Sequence, residues 1–210
     1  DNVPPKGKVY LPTASYAEMM HWALFTPSFK KFEEFEHLLQ DEQLLDNFGI
    51  FVRGGFWRNF MTKYPEINVM HKKMLRISEK LWQLPETKQK SLKKAFDHLW
   101  AAQCNCPYWH GVFGGLYLSH LRYAIFNNLL DAEKMINKAL KPAFPILEVS
   151  DFDVDGFDEV LVEGEVQNAY FKPNKGAVLF EYDFLPVSKN LSDNMTRREE
   201  GYHSKLAEAK

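Results

Sequence analysis

Between Gln103 and Arg122 the chain gathers both of its cysteines, two histidines, three glycines and four large aromatics, where a plain connection would carry polar turn residues. Tyr108, Trp109 and Tyr117 offer flat faces with a polar tip, suited to stacking on a sugar ring, while Asn105, His110 and His120 can hydrogen-bond hydroxyls. The same aromatics would equally serve as a buried knot capping a helical bundle. A third chemistry is zinc, held by Cys104, Cys106, His110 and His120, although a one-residue gap between cysteines is narrower than tetrahedral sites normally use. That gap also strains a disulfide, so the cysteines read as free thiols in a reducing, cytoplasmic compartment.

A second cluster, Arg53 to Phe60, sets two glycines beside Trp57, Arg58 and Asn59. The glycines allow close backbone approach, and the side chains could line a sugar cleft or an interdomain seam. A third, Asp151 to Glu159, places Asp151, Asp153 and Asp155 at alternating positions before Gly156, with the Phe157 carbonyl and Glu159 nearby. Such converging oxygens suit a structural calcium ion, although the stretch is not an EF-hand, and a solvated acidic turn is the plain alternative. No pair of carboxylates has a catalytic setting: Glu18, Glu66 and Asp97 fall on amphipathic helices, where acids are usually solvated.

The elements that must position these groups can be read from periodicity. Residues 1–12 read as a linker or docking arm, with Val9, Tyr10 and Leu11 as a short strand. Helices follow over 13–141. Thr13 or Ser15 caps the first, with Glu18 completing a capping box, and a phenylalanine-faced helix covers Ser28 to Leu45. Ile67, Met70, Met74, Ile77 and Leu81 mark a bundle helix from Glu66 to Leu81. One helix is expected from Glu86 to about Ala102, then the motif loop, then a long helix with Leu118, Leu121, Ile125, Leu129, Ala132 and Ile136 inward. From Pro145 the pattern turns to strands, at Ile146–Val149, Glu159–Glu163, Val166–Lys172 and Ala177–Phe184, separated by glycine turns. The fold class is therefore α+β, a helical bundle at 13–141 followed at 145–210 by the first strands of a truncated antiparallel β-sandwich, with a charged tail, helical or frayed, from Arg197.

With 210 residues, 45% hydrophobic, the chain can bury a real core. A net charge of −2 with mixed signs argues against nucleic acid, and no apolar run is long enough to span a membrane.

The run QCNCPYWHGVFGGLYLSHLR, from Gln103 to Arg122, closely resembles a region of glycoside hydrolase family 57, in the branch of 4-α-glucanotransferases and related α-amylases. LPTASYAEMMHWAL, RGGFWRNFMTKYPEINVMHKKML and the pair LFEYDF and NLSDNMTRREEGYHSKL resemble the same branch, in the same order. The resemblance implies a parent enzyme that cleaves α-1,4-glucan through a covalent glycosyl intermediate and passes the glycosyl unit to another glucan or to water, without a redox or organic cofactor. Its catalytic carboxylates would lie in an upstream β/α barrel outside this segment. No residue here is then expected to be catalytic, and the segment alone should be inactive. Trp109 and Tyr108 would stack on glucose, His110 and Asn105 would touch hydroxyls, Tyr117 would complete the substrate-binding set, and Arg58, Asn59 and Trp57 would border the cleft. The expected partners are an α-glucan or maltooligosaccharide, the barrel, and a second copy in a homodimer of the parent enzyme. Members of the family often carry an acid where this chain has Cys106, and if that acid tunes the acid/base or orients a sugar, the thiol leaves the exact activity open. The loop around Trp109, by excluding water and holding an acceptor sugar, bears on transfer against hydrolysis. The reading from another class is a non-catalytic carbohydrate-binding or protein-interaction module using the same aromatics.

Overall fold

The computed structural model describes residues 7–8, 16–111 and 113–203. The arm at Val9 to Leu11, the caps at Thr13 and Ser15 and the end of the tail lie outside these residues. The chain forms two compact units, one of Asp1–Lys63 with Arg198–Lys210 and the other of Tyr64–Arg197. The expected change from helix to strand occurs at Pro145, but the compact units divide elsewhere, because the later helices pack with the sheet.

The first unit contains α1 (Ala17–Trp22), α2 (Thr26–Asp41), α3 (Leu45–Phe48) and α4 (Trp57–Lys63). Pro27 lies in the first turn of α2, where a helix has no N–H partner to lose, and α1 ends before it at Trp22. The helix stops at Asp41, short of Leu45, and Gln43 takes a left-handed conformation. Of the phenylalanine face, Phe29 and Leu39 are buried while Phe35 and Leu38 stay exposed. The close approach expected at the paired glycines is present. Gly55 N donates to Met20 O at 3.0 Å, and a Cβ on Gly54 would sit 2.4 Å from that oxygen. The tail is not frayed where it is described: Glu200 is buried against Lys63 at 2.8 Å, and Thr26 Oγ1 donates to Glu199 O.

In the second unit α5 (Pro65–Trp82), α7 (Lys93–Ala102) and α8 (Ser119–Leu140) pack together. Ile67, Met70, Met74, Ile77 and Leu81 of α5 are all buried, as their spacing predicts. Leu99 of α7 and Ile125, Leu129 and Ile136 of α8 complete this core. The helix expected from Glu86 breaks at Leu92, separating α6 (Glu86–Ser91) from α7.

The strands β1 (Ile146–Ser150), β2 (Glu159–Glu163), β3 (Gln167–Lys172), β4 (Val178–Phe184) and β5 (Lys189–Asn190) form one antiparallel sheet in chain order. Register pairs Leu161 with Tyr170 and Tyr170 with Glu181, so these share one face, and Val162, Ala169 and Tyr182 share the other. The buried face is the charged one. Glu163, Asn168, Glu181 and Asp183 are each at most 1% exposed, whereas Leu147, Val149 and Leu179 stand open to solvent. Lys73, Arg76 and Lys80 of α5 make this inversion stable: Lys73 Nζ lies 2.5 Å from Asp183 and 3.0 Å from Glu181, and Arg76 and Lys80 both hold Glu163.

Candidate functional site

The loop between α7 and α8 is a fixed frame. After Ala102 the chain makes a 3-10 turn at Cys106–Tyr108, runs extended through Trp109, turns left-handed at Gly114 and makes a second 3-10 turn at Gly115–Tyr117. Leu116 N donates to Trp109 O at 2.9 Å and Tyr117 N to Gly114 O at 2.8 Å, closing the loop on itself. Gly115 is required: its φ is +36°, and a Cβ there would fall 1.9 Å from Trp109 O and 2.8 Å from Cys106 O. Arg122, from the first turns of α8, braces the frame by donating from Nη1 to Leu116 O at 2.6 Å and from Nε to Asp193 at 2.7 Å.

This frame sorts the aromatics. Tyr108 is 4% exposed and its hydroxyl donates to Ala102 O at 2.7 Å; burial, with Cys104 nearby, pushes that hydroxyl's pKa well up. Its ring meets His71 edge-on at 6.0 Å. Tyr108 is therefore a packing group, with no face offered for stacking on sugar. His110 is 1% exposed, with Nε2 2.5 Å from the Tyr64 hydroxyl, so it acts on a ligand only through its neighbours. The rings of Tyr64, His110 and Tyr117 contact one another, with centroids 5.3–6.2 Å apart. Within and around this set Tyr117 and Trp109 are half-buried, Asn105 and His120 are exposed, and Phe113 is 91% exposed.

Sequence reasoning missed Tyr64, Arg122 and Phe113 as parts of this arrangement. The setting of Phe113 between Gly111 and Gly114 was the available signal for an exposed tip. Nothing local marks Tyr64, 46 positions from His110.

Trp57, Arg58 and Asn59 lie on α4, in the other compact unit. Trp57 stacks on Phe60 at 5.8 Å, Asn59 Oδ1 accepts from Phe56 N at 3.2 Å, and Arg58 and Asn59 are exposed.

The zinc reading fails on geometry. Both cysteines are exposed, His110 Nε2 faces Tyr64, and among the described residues the one ligand-type cluster is elsewhere, at Asp151, Asp153 and Glu159.

Those three place a carboxylate oxygen each within 4.8 Å of one another, a spacing that fits a cation. The structure also supplies an ammonium there. Lys172 Nζ pairs with Asp153 and lies 3.7 Å from both Asp155 and Glu159. Backbone donors serve some of the oxygens, with Asp155 N and Gly156 N donating to Asp151 and Phe152 N and Asp153 N to Glu159 Oε2, while Asp153 Oδ1 and Glu159 Oε1 are buried with no hydrogen-bond partner. Burial, with Asp153 beside it, raises the Glu159 pKa. The Phe157 side chain is 57% exposed.

Residues 55–136 match the family model described as the α-amylase/4-α-glucanotransferase middle domain, and residues 151–210 match the C-terminal domain of the same family. The chain is 47% identical over 206 residues to "Alpha-amylase 1" of Dictyoglomus thermophilum, covering 98% of this chain and 29% of that protein. It is 44% identical over 199 residues to "4-alpha-glucanotransferase" of Thermococcus kodakarensis, covering 95% and 28%. The crystal structure of 4-α-glucanotransferase from Thermococcus litoralis superposes with a TM-score of 0.78 at 39% identity, over 96% of this chain and 30% of that one. The chain thus spans less than a third of the length of the relatives it matches. No described helix is long and apolar enough to cross a membrane. With two domain models matched in order and a closely similar fold, the chain belongs to the α-amylase/4-α-glucanotransferase family of glycoside hydrolase family 57.

Proposed function

We propose that this chain is the part of an α-1,4-glucan-acting enzyme that holds and orients the substrate, beside catalytic carboxylates carried outside these 210 residues. The observation that carries this reading is the braced loop from Cys106 to Tyr117, which lies within the matched middle domain and presents Trp109 and Tyr117 on a backbone held by Gly115 and Arg122. A retaining glycosidase needs its sugar ring fixed against a nucleophile and an acid, and a rigid aromatic platform supplies that positioning. Trp109 would stack on glucose, Tyr117 and Asn105 would meet its hydroxyls, and the His110–Tyr64 pair would set the height of the platform from below. Exposed Phe113 is suited to screening the glycosyl intermediate from water, which bears on transfer against hydrolysis.

The test is maltooligosaccharide disproportionation by the enzyme in its full native length. Trp109→Ala should lower kcat/KM by roughly ten- to a hundredfold while the thermal midpoint holds. Equal loss of folded protein and of activity would make Trp109 a core residue and sink the platform.

A further inference from the structure

At the edge of the buried face of α7, Trp82 from the end of α5 and Trp100 of α7 are 58% and 54% exposed, and they flank Phe96 with ring centroids 4.9 and 5.9 Å from it. Single exposed tryptophans are common, but two around one recess, with a buried aromatic as its floor, are not scatter. The recess is shallow and open to solvent, with a volume of about 430 Å³.

Its rim is polar. Gln89, Lys93 and the Glu86–Lys90 pair, 2.7 Å apart, face the same space. The Gln89 amide nitrogen donates to Trp82 O at 3.1 Å and Leu84 O at 2.7 Å, tying α6 to the corner that carries Trp82. The backbone under Trp82 is therefore fixed before any ligand arrives.

We propose that this recess is a second α-glucan-binding site, separate from the loop at 103–118. The proposal rests on the reading of the parent enzyme as glucan-acting. Two indole faces suit the C–H faces of successive glucose rings, and an amide, a carboxylate and two ammonium groups suit their hydroxyls. Glu86 offsets Lys90 and leaves Lys93 as the one uncompensated charge among the described lining residues, so the two indole faces rather than the rim charge favour a neutral polyhydroxylated ligand over a phosphate. Its volume suits a short stretch of sugar rings lying across the two indoles. A second grip on one polymer raises the local concentration of the remaining chain at the catalytic site.

The test uses the full-length enzyme and the double variant Trp82→Ala/Trp100→Ala, in native gels with and without soluble amylose and in assays on amylose and on maltotetraose. The double variant should lose retardation by amylose and show KM for amylose raised about tenfold, with kcat and KM for maltotetraose unchanged. Trp82→Tyr/Trp100→Tyr should restore retardation, and it also serves if the alanine variant folds poorly. Unchanged retardation and KM, with turnover intact, would overturn this site and leave the enzyme reading standing. Retardation that depends on Trp82 and Trp100 in a protein with no turnover would overturn the enzyme reading instead. A change of sedimentation in the double variant, with glucan retardation as before, would make the recess a protein interface and overturn the proposal.

Discussion

Single residues at crowded or buried positions control this molecule most directly. Gly115 admits no side chain without moving the Trp109 carbonyl, so Gly115→Ala should destabilise by on the order of 2 kcal/mol, read from denaturant midpoints. It should also cut glucan turnover beyond its effect on folding, because the platform itself is displaced. Glu181 tests the buried charges. Burial, opposed by Lys73 and reinforced by Asp183, pushes its carboxyl from 4.5 up to about 8. Across that window the unfolded chain has lost a proton that the native state keeps, so this group's contribution makes stability fall as pH rises. Glu181→Gln has no such proton to lose. Its thermal midpoint relative to the parent should therefore climb between pH 5 and 8, and a constant difference would show that Glu181 titrates normally.

Elements show where charge is used to hold parts together. The acidic loop before β2 converges on Lys172 of β3, so a calcium ion would compete there with an ammonium already paired with Asp153. Millimolar calcium or a chelator should leave the unfolding midpoint of the native chain unchanged, measured by calorimetry. A rise with calcium would identify a metal site and show that Lys172 yields it. Across the sheet, α5 acts through three cations one helical turn apart, Lys73, Arg76 and Lys80, which meet acids from three strands. Despite burial, which opposes its charge, Glu163 is held down to about 2 by Lys80 and Arg76, so the pairing of α5 with β2 should survive moderate acid.

For the molecule as a whole, the open face of the sheet matters. Leu147 and Val149 of edge strand β1 are 68% and 60% exposed, and Leu179 of β4, further across the sheet, is 46% exposed. An apolar face with an unpaired edge is a template for association, so this chain alone should sediment as concentration-dependent oligomers. Leu147→Lys with Val149→Thr should shift it toward monomer, and monomeric behaviour of the unaltered chain at high concentration would refute the idea.

The sequence by itself determined the elements that local chemistry controls. The 3.6-residue spacing of Ile67 to Leu81 produced α5 as expected, and runs between glycine turns produced the main strands within a residue or two. It also marked the loop from Gln103 and, by resemblance, the family. Only the tertiary structure decided which aromatics face outward. Tyr108 and Trp109 are neighbours of similar chemistry, and the bond from the Tyr108 hydroxyl to Ala102 O takes one into the core and leaves the other at the surface. It likewise decided that Lys172 sits among the loop acids and that the charged face of β2 points inward. Those outcomes depend on partners far along the chain, 110 positions in the pairing of Lys73 with Asp183, and burial energies of that kind have no periodic signature in the sequence.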